Sequence, residues 1–438
     1  MKTRSRMFIL AVVIALATPS AECDSAKCDS AGGAGCIVAL RTPHFRTFAL
    51  AAQDSSAASQ WQDVIRNLRH PETRVRLEAL TQLGNSGYTA AAEYVAPLVT
   101  DPDDRVQAGA IDVELTFFLV EPVGPRRVFS LTGGSRSRAQ EAFDAGPLVR
   151  ASGAAPLVLL DGLILAVRDE NARVRFDAIH AIGVIAESPV PPAQGKTLAD
   201  GLDHYDPLIR AATARVLGRL RVRDAGEKLV AGLNDSSMLV RRYAAEALGL
   251  IREERAVQAL TELHAFYGQN QMAAETLLAL ARTAHPASRD LLRTRLPDPN
   301  AAFRRAAAEG LGRLRDTPSL DVLKSRMTAE TDASARLAAT FAVGQMADTQ
   351  AHVLAGALAV PDLAGQARDY LLEIGAPAIP GIRAALGVAA DARFRADLIY
   401  VLSFVGTRET VTVIEPFRQD PDAGVARAAG HAIARLNR

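Results

Sequence analysis

Eight histidines are the side chains of this sequence best suited to metal or acid–base chemistry, and their spacing supports neither. His44, His70, His180, His204, His264, His285, His352 and His431 include no pair at i, i+3 or i+4, the spacing that sets two imidazoles on one helix face. No HExxH and no CxxCH occurs, so the zinc-protease helix and the attached c-type haem are both excluded. No glycine-rich phosphate loop or serine elbow stands in a strand–turn–helix setting. The carboxylate doublet Glu253-Glu254 lies between Arg252 and Arg255, where solvated ion pairing accounts for it. The pattern points away from an enzyme, and no cofactor is expected.

The three cysteines are clustered instead of dispersed. Cys23, Cys28 and Cys36 fall in a stretch, CDSAKCDSAGGAGC, too poor in apolar residues to build a core. Just before it, Lys2, Arg4 and Arg6 precede an apolar run at 7–17 and small residues around Ala21, the three parts of a secretory signal. Eleven apolar residues fall short of the roughly 20 needed to cross a bilayer. Residues 1–21 are therefore expected to be a signal peptide and 22–58 a flexible leader, with the protein exported to the periplasm or cell envelope of a bacterium. An uncleaved anchor or a misplaced start codon are the alternatives. An oxidising compartment favours one disulfide within the leader, leaving one thiol over. Membrane association would run only through an uncleaved signal or a lipidated cysteine, and Glu22 ahead of Cys23 disfavours the latter.

The formal net charge is +1 over 438 residues, which recommends neither nucleic acid nor an anionic membrane as partner. Aromatic residues make up only 5% of the chain, and the small residues that dominate suit closely stacked helices.

What remains is periodic. Gly84, Gly183, Gly218, Gly249, Gly312, Gly344, Gly375 and Gly406 mark equivalent positions, with Ala281 standing in between Gly249 and Gly312. From Gly218 onward the steps are 31, 32, 31, 32, 31 and 31 residues. Nine residues before five of the markers stand Val75, Val174, Ile209, Val240 and Phe303, each followed by arginine (Arg76, Arg175, Arg210, Arg241, Arg304). In the unit at 235–251, Asp235 is expected to cap a helix, and Leu239, Val240, Ala244, Ala247, Leu248 and Ile251 form a buried stripe. Asp-Pro opens several units, at Asp101, Asp206, Asp298 and Asp420, with proline suited to the first helical position. Each period has room for two helices and no alternating strand pattern appears. A repeat of this length sustained over so many units predicts an all-α solenoid of stacked helix–turn–helix repeats, about eleven units over 59–438.

The residues Asp235, Val240, Arg241, Ala244, Ala245, Ala247, Leu248 and Gly249, with the same pattern at 169–185 and 298–314, resemble the HEAT-repeat superfamily. The resemblance is strongest to its short form, named after the HEAT-like repeats of phycobilisome lyases, and spans roughly residues 60–438. It implies an α-solenoid and says little about function, because one fold hosts many functions. It also implies that the arginines after the motif position pair between neighbouring repeats, and that second helices line a concave surface. That surface would carry Glu262, Arg289, Arg293, Asp321, Lys324, Arg383 and Glu415. The His-Glu doublets of the iron-dependent hydroxylases on this scaffold are absent. The expectation is an exported scaffold binding a protein or peptide; a chromophore-lyase-like or other enzyme on the same scaffold is the alternative.

Two stretches interrupt the period. Between Leu115 and Gly183 lie 68 residues, expected to hold two repeats with about six to spare. Within them, 121–138 contains two prolines, three glycines and the arginines Arg126, Arg127, Arg136 and Arg138, with Glu121 as the nearest acid. A basic loop replacing a second helix is a candidate partner-binding arm, or else an insertion without a role. The proline-rich segment 187–196 is expected to run extended over the surface. A third arginine group follows the markers: Arg219, Arg221, Arg223, Arg252, Arg255, Arg282, Arg313 and Arg315 should align on one edge. Asp224, Glu253, Glu254 and Asp316 interleave with them, so solvation and local pairing is the favoured reading, with an anion-binding edge as the alternative. Trp61 is expected to cover the first repeat.

Overall fold

A helix pair explains the whole array, and the pair at 237–267 shows its parts. In the computed structural model, which describes residues 61–119, 136–146 and 155–437, the first helix runs Met238–Ile251. Val240, Ala244, Ala245, Ala247, Leu248 and Ile251 are buried along one face. Leu239, expected in that stripe, points outward. Asp235 does not cap the helix either. Ser237 occupies the cap position, and the Asp235 carboxylate accepts from the Ser237 amide at 2.8 Å and from the Arg210 guanidinium at 2.7 and 2.8 Å. Among the Asp-Pro units only Asp206-Pro207 has the expected arrangement, with Asp206 as the cap and Pro207 opening the helix. In the other three the cap follows the proline, at Asp103, Asn300 and Asp422.

The helix ends where Arg252 turns left-handed (φ 56°). Its amide donates to Gly249 O at 3.2 Å and the next amide, of Glu253, donates to Leu248 O at 3.0 Å, a Schellman closure. The same two bonds recur at Arg221 and Arg315. A 3-10 turn, Glu254–Ala256, then reverses the chain into the second helix, Val257–Tyr267, which buries Val257, Leu260 and His264.

Eleven first helices of this kind stand among the described residues, from Thr73–Ser86 to Ala423–Leu436. Successive first helices pack on one another, as Pro207–Arg219, Met238–Ile251, Gln271–Thr283, Ala301–Arg313 and Ala333–Met346 do. Second helices form the other layer. Between the layers, Leu229, Leu260, Leu292, Leu323 and Leu354 repeat one position of the second helix, each with no exposed surface. No β-strand occurs among the described residues, and the all-α solenoid expected from the period is the fold.

The arginines after the motif position tie each repeat to the next. Arg210 forks onto Asp235, Arg304 onto Glu330 (2.8 and 2.7 Å) and Arg395 onto Asp420 (both 3.0 Å), 25 or 26 residues on. Each also donates to two carbonyls five and six residues back, such as His204 O and Tyr205 O for Arg210. Arg241 keeps the carbonyl bonds but meets no acid, because Phe266 stands 25 residues after it.

The irregular stretches differ from expectation. Among the described residues a single repeat is seen between the markers at 115 and 183, with Asp104–Phe118 as first helix and Leu157–Ala166 as second. Between them the described residues include the helix Arg138–Ala145. That helix packs against the first helix Ala172–Ile185, not beside the second layer, so it does not stand in for a second helix, a place that Leu157–Ala166 fills. Phe143 reaches to 2.4 Å of where a Cβ on Gly183 would stand, so the marker glycine there admits an aromatic ring. At 187–196 the chain is not extended throughout: Pro192 opens the second helix Pro192–Ala199, which buries Leu198 and Ala199. Trp61 stacks on Tyr88 with ring centroids 5.7 Å apart, covering the first repeat as expected. The chain divides into Met1–Ala57 and Ala58–Arg438. The signal, the leader with its cysteines, Arg126 and Arg127 lie outside the described residues.

The markers at Gly218, Gly249 and Gly312 exist for contact: an added Cβ would meet Cα of Ala247, Ala279 and Ala342 at 2.7, 2.9 and 2.6 Å. Gly312→Ala must therefore push two backbones apart, an overpacking cost of about 1–3 kcal/mol. Gly356→Ala, in open space within Ala351–Ala357, should stabilise by about 0.5–1 kcal/mol through helix propensity. Thermal melts are expected to move in opposite directions; a parallel shift would mean the first helices do not meet at Gly312.

Candidate functional site: an arginine-lined cavity on the first-helix face

The helix ends that carry the glycine markers also carry arginines, and curvature brings them together. Arg221, Arg223, Arg252, Arg282 and Arg313 of the expected edge line one cavity of about 490 Å³, joined by Arg305 from the helix Ala301–Arg313. The opposite wall is the first helix Pro361–Ile374, which supplies Gln366, Asp369, Tyr370 and Glu373. The two walls touch. Arg252 donates to Glu373 Oε1 at 3.0 Å across 121 residues of sequence, four repeats apart. Arg313 places its guanidinium fork on the same carboxylate at 2.9–3.1 Å. First helices thus line the inner side of the curve, and the expectation that second helices do so is corrected. Of the residues named for that role, Arg289 and Arg293 pair with Asp316 and Glu415 with Arg418 in the second-helix layer.

The floor of the cavity is a buried polar network. Glu309 is 2% exposed, and accepts from Arg305 at 2.9 Å, from Arg313 at 3.0 Å and from the Tyr370 hydroxyl at 2.6 Å. Burial alone pushes this carboxyl up. The charges of Arg313, Arg305 and Arg282 and the Tyr370 hydroxyl outweigh burial and hold it at about 2, against an ordinary 4.5. Burial and the adjacent Glu309 charge raise the Tyr370 phenol far above its usual value, so it stays a donor. Gln366 donates to the Tyr370 oxygen at 2.7 Å and accepts from Ser334 at 2.6 Å, which holds the phenol in place. The Tyr370 ring also stacks on Phe341, centroids 4.3 Å apart.

Above this floor six arginines face three carboxylates, Glu309, Asp369 and Glu373, a surplus of three positive charges. Arg221, Arg223 and Arg282 make no hydrogen bond or ion pair among the described residues, and neither does Asp369 on the solvent-exposed rim. Arg221 and Arg252 additionally sit in left-handed backbone, at φ 53° and 56°, where glycine would be at ease and other residues cost about 1 kcal/mol.

The remaining members of the expected edge are elsewhere. Arg219 lies over the Phe143 ring at 3.6 Å and donates to Phe143 O, and burial lowers it to about 10. Arg255 is clamped by Glu253 at 2.8 and 2.9 Å, and Arg315 is exposed outside the cavity. In the candidate arm, Arg136 pairs with Asp144 at 2.8 Å, while Arg138 opens a helix and donates to Thr116 Oγ1 at 2.6 Å. These two are not the uncompensated charges expected of a free arm. The buried histidines are structural: His264 Nδ1 donates to Ala273 O at 2.8 Å while its Nε2 accepts from Arg295 at 3.0 Å. His180 Nδ1 donates to Phe176 O at 2.7 Å, and burial lowers its pKa to about 4. Glu309 and Tyr370 were missed in the sequence. The signal for the first was a carboxylate set inside an otherwise small and apolar run, AAAEGLG.

The family model described as HEAT repeats matches residues 195–265 and 269–344. Residues 195–344 are HEAT repeats. The matched residues supply Arg221, Arg223, Arg252, Arg282, Arg305, Glu309 and Arg313, so most of the cavity lies in recognised repeats. Among solved structures the chain is similar to an engineered protein at 17% identity, covering 86% of this chain and 99% of that one, TM-score 0.36. It is similar also to the complex of CpcE and CpcF of phycocyanin lyase from Nostoc sp. PCC7120, at 18% identity over 65% of this chain and 97% of that one, TM-score 0.36. Human deoxyhypusine hydroxylase in complex with glycerol is similar at 18% identity over 56% of this chain and 96% of that one, TM-score 0.29. No curated protein matches the sequence. These likenesses concern the fold alone.

Glu309→Gln tests the floor. A carboxylate held at about 2 stabilises the fold above its unfolded pKa, and that stabilisation is lost as pH falls from about 4.5 towards 2. The variant should be less stable by about 3 kcal/mol at pH 7, because buried arginine charge loses its partner. It should also lose less than the parent across that acid window, as read by urea midpoints. Parallel acid limbs for the two proteins would contradict the assignment.

Proposed function

We propose that this protein is an exported scaffold that docks a protein or peptide partner against its inner, first-helix face. A HEAT-repeat array is in general a protein-interaction scaffold, and the position of the docking face is the finer part of the reading. One observation carries it: the only convergence of helices as far as four repeats apart among the described hydrogen bonds between first helices is at Glu373, and it encloses a cavity with surplus charge. A surface whose guanidinium groups make no internal hydrogen bond offers a partner charge-assisted hydrogen bonds. In the second-helix layer some charges pair with one another, as at Arg293–Asp316 (2.6 Å) and Arg418–Glu415 (3.2 Å). Export rests on the signal pattern of residues 1–21, with its basic start and short apolar run.

Two measurements test the two halves. N-terminal sequencing of the protein from its host should begin between Thr18 and Glu22; intact Met1 on soluble protein would refute export. A photo-crosslinking residue placed at Leu250, on the inner face, should give a discrete adduct in cells, and the same residue at Lys324, on the second-helix layer, should not. Adducts from Lys324 alone would put the docking face on the other side.

A further inference from the structure

We propose that the inner cavity takes an extended, acidic peptide segment whose carboxylates stand three residues apart. The inference deepens the docking reading above and rests on it. Arg221 and Arg223, Arg252, and Arg282 belong to three consecutive repeats whose first helices pack directly on one another. Packed helix axes lie about 8–10 Å apart, so the array presents a row of guanidinium groups with about that step. An extended chain advances about 3.3 Å per residue, and three residues span about 10 Å. The periods match, so one peptide can place one carboxylate on each repeat. A lone phosphate can engage a single step of the row and no more.

The row is prepared for a ligand by what it lacks. Arg221, Arg223 and Arg282 have no hydrogen bond or ion pair among the described residues, although Asp369 shares their cavity. Arg252 spends one nitrogen on Glu373 and keeps the rest of its fork open. Beneath them the Glu309–Tyr370 network fills the floor with already satisfied groups, so an incoming carboxylate meets cations above and a closed surface below. Guanidinium groups bind carboxylates in paired, planar hydrogen bonds, which suits Asp or Glu side chains.

The test uses the full chain and labelled ten-residue Gly/Ser peptides, read by fluorescence anisotropy. One carries three glutamates three residues apart, a second three adjacent glutamates, a third glutamines in the spaced positions; inorganic phosphate is the competitor. The spaced glutamate peptide should bind at least about tenfold tighter than the glutamine peptide, several-fold tighter than the adjacent one, and weaken as salt rises. The combined Arg221→Gln, Arg223→Gln variant should reduce binding with unchanged melting, because these two side chains have no hydrogen-bond or ion-pair partner to lose. Arg282→Gln should also reduce binding, with a lowered melting temperature because its charge helps to hold Glu309 ionised. Asp369→Asn should tighten it. Equal binding of spaced and adjacent peptides, or full competition by phosphate at matched concentration, would overturn the proposal in favour of a small-anion site. Absence of peptide binding alongside persistent crosslinks at Leu250 would refute the acidic segment while leaving the docking reading standing. Loss of both would refute both.

Discussion

Contact between backbones at the marker glycines is the constraint on which this structure depends. Where Gly218, Gly249 and Gly312 meet Ala247, Ala279 and Ala342, no room exists even for a methyl group. The neighbouring first helices can then approach to the closest packing that helices allow. The second helices of the same repeats do not approach one another so closely, and their leucines Leu229, Leu260, Leu292 and Leu323 are buried between the layers, Leu292 reaching to 2.7 Å of where a Cβ on Gly310 would stand. One side of the array is therefore short and the other long, and the array curves toward the short side. Curvature of that sign turns the marker ends of the first helices inward, together with the arginines that follow them.

The close contact does not run the whole length. At Gly344 an added Cβ would come no closer to any neighbour than 3.3 Å, at the Gln350 amide, and at Gly375 it would meet nothing, so here glycine no longer serves contact between first helices. Gly375 instead adopts φ 73° to end its helix. In place of the backbone contact, Tyr370 stacks on Phe341 and reaches past it to Glu309. Removing that many polar groups from water is costly unless each is satisfied, and here each partner is: the carboxylate by two arginines and a phenol, the phenol by an amide, the amide by a serine. Breaking one member strands the others. The network substitutes electrostatic closure for steric closure at the point where the repeat geometry changes, and it leaves the arginines above it unneutralised.

The repeat, its glycine markers and the inter-repeat arginines were legible in the sequence because they obey local rules of period and helix chemistry. So was the arginine edge, five of whose eight members do meet. The inner face was not legible. Its choice depends on how closely the helices of each layer approach one another, and a family expectation assigned it to the wrong layer. Asp235 looked like a helix cap because its distance from the apolar stripe fits one; it acts two residues earlier, as receiver for Arg210. Arg136 and Arg138 looked uncompensated because their partners, Asp144 and Thr116, come from a later helix and an earlier one. In each case the missing information was tertiary, not compositional.

The central claim, that first helices form the inside of the curve, is most directly tested by one distance. Spin labels at Arg223 and Asp369, in protein with Cys23, Cys28 and Cys36 replaced by serine, report on the two walls of the cavity without touching the Arg252–Glu373 pair. Their markers, Gly218 and Gly375, are five repeats apart. Five helix-packing steps without curvature toward this face would separate them by about 40–50 Å. Pulsed electron–electron double resonance is expected to give a single population at less than about half that separation. A distribution centred at the full five-step length would contradict the account.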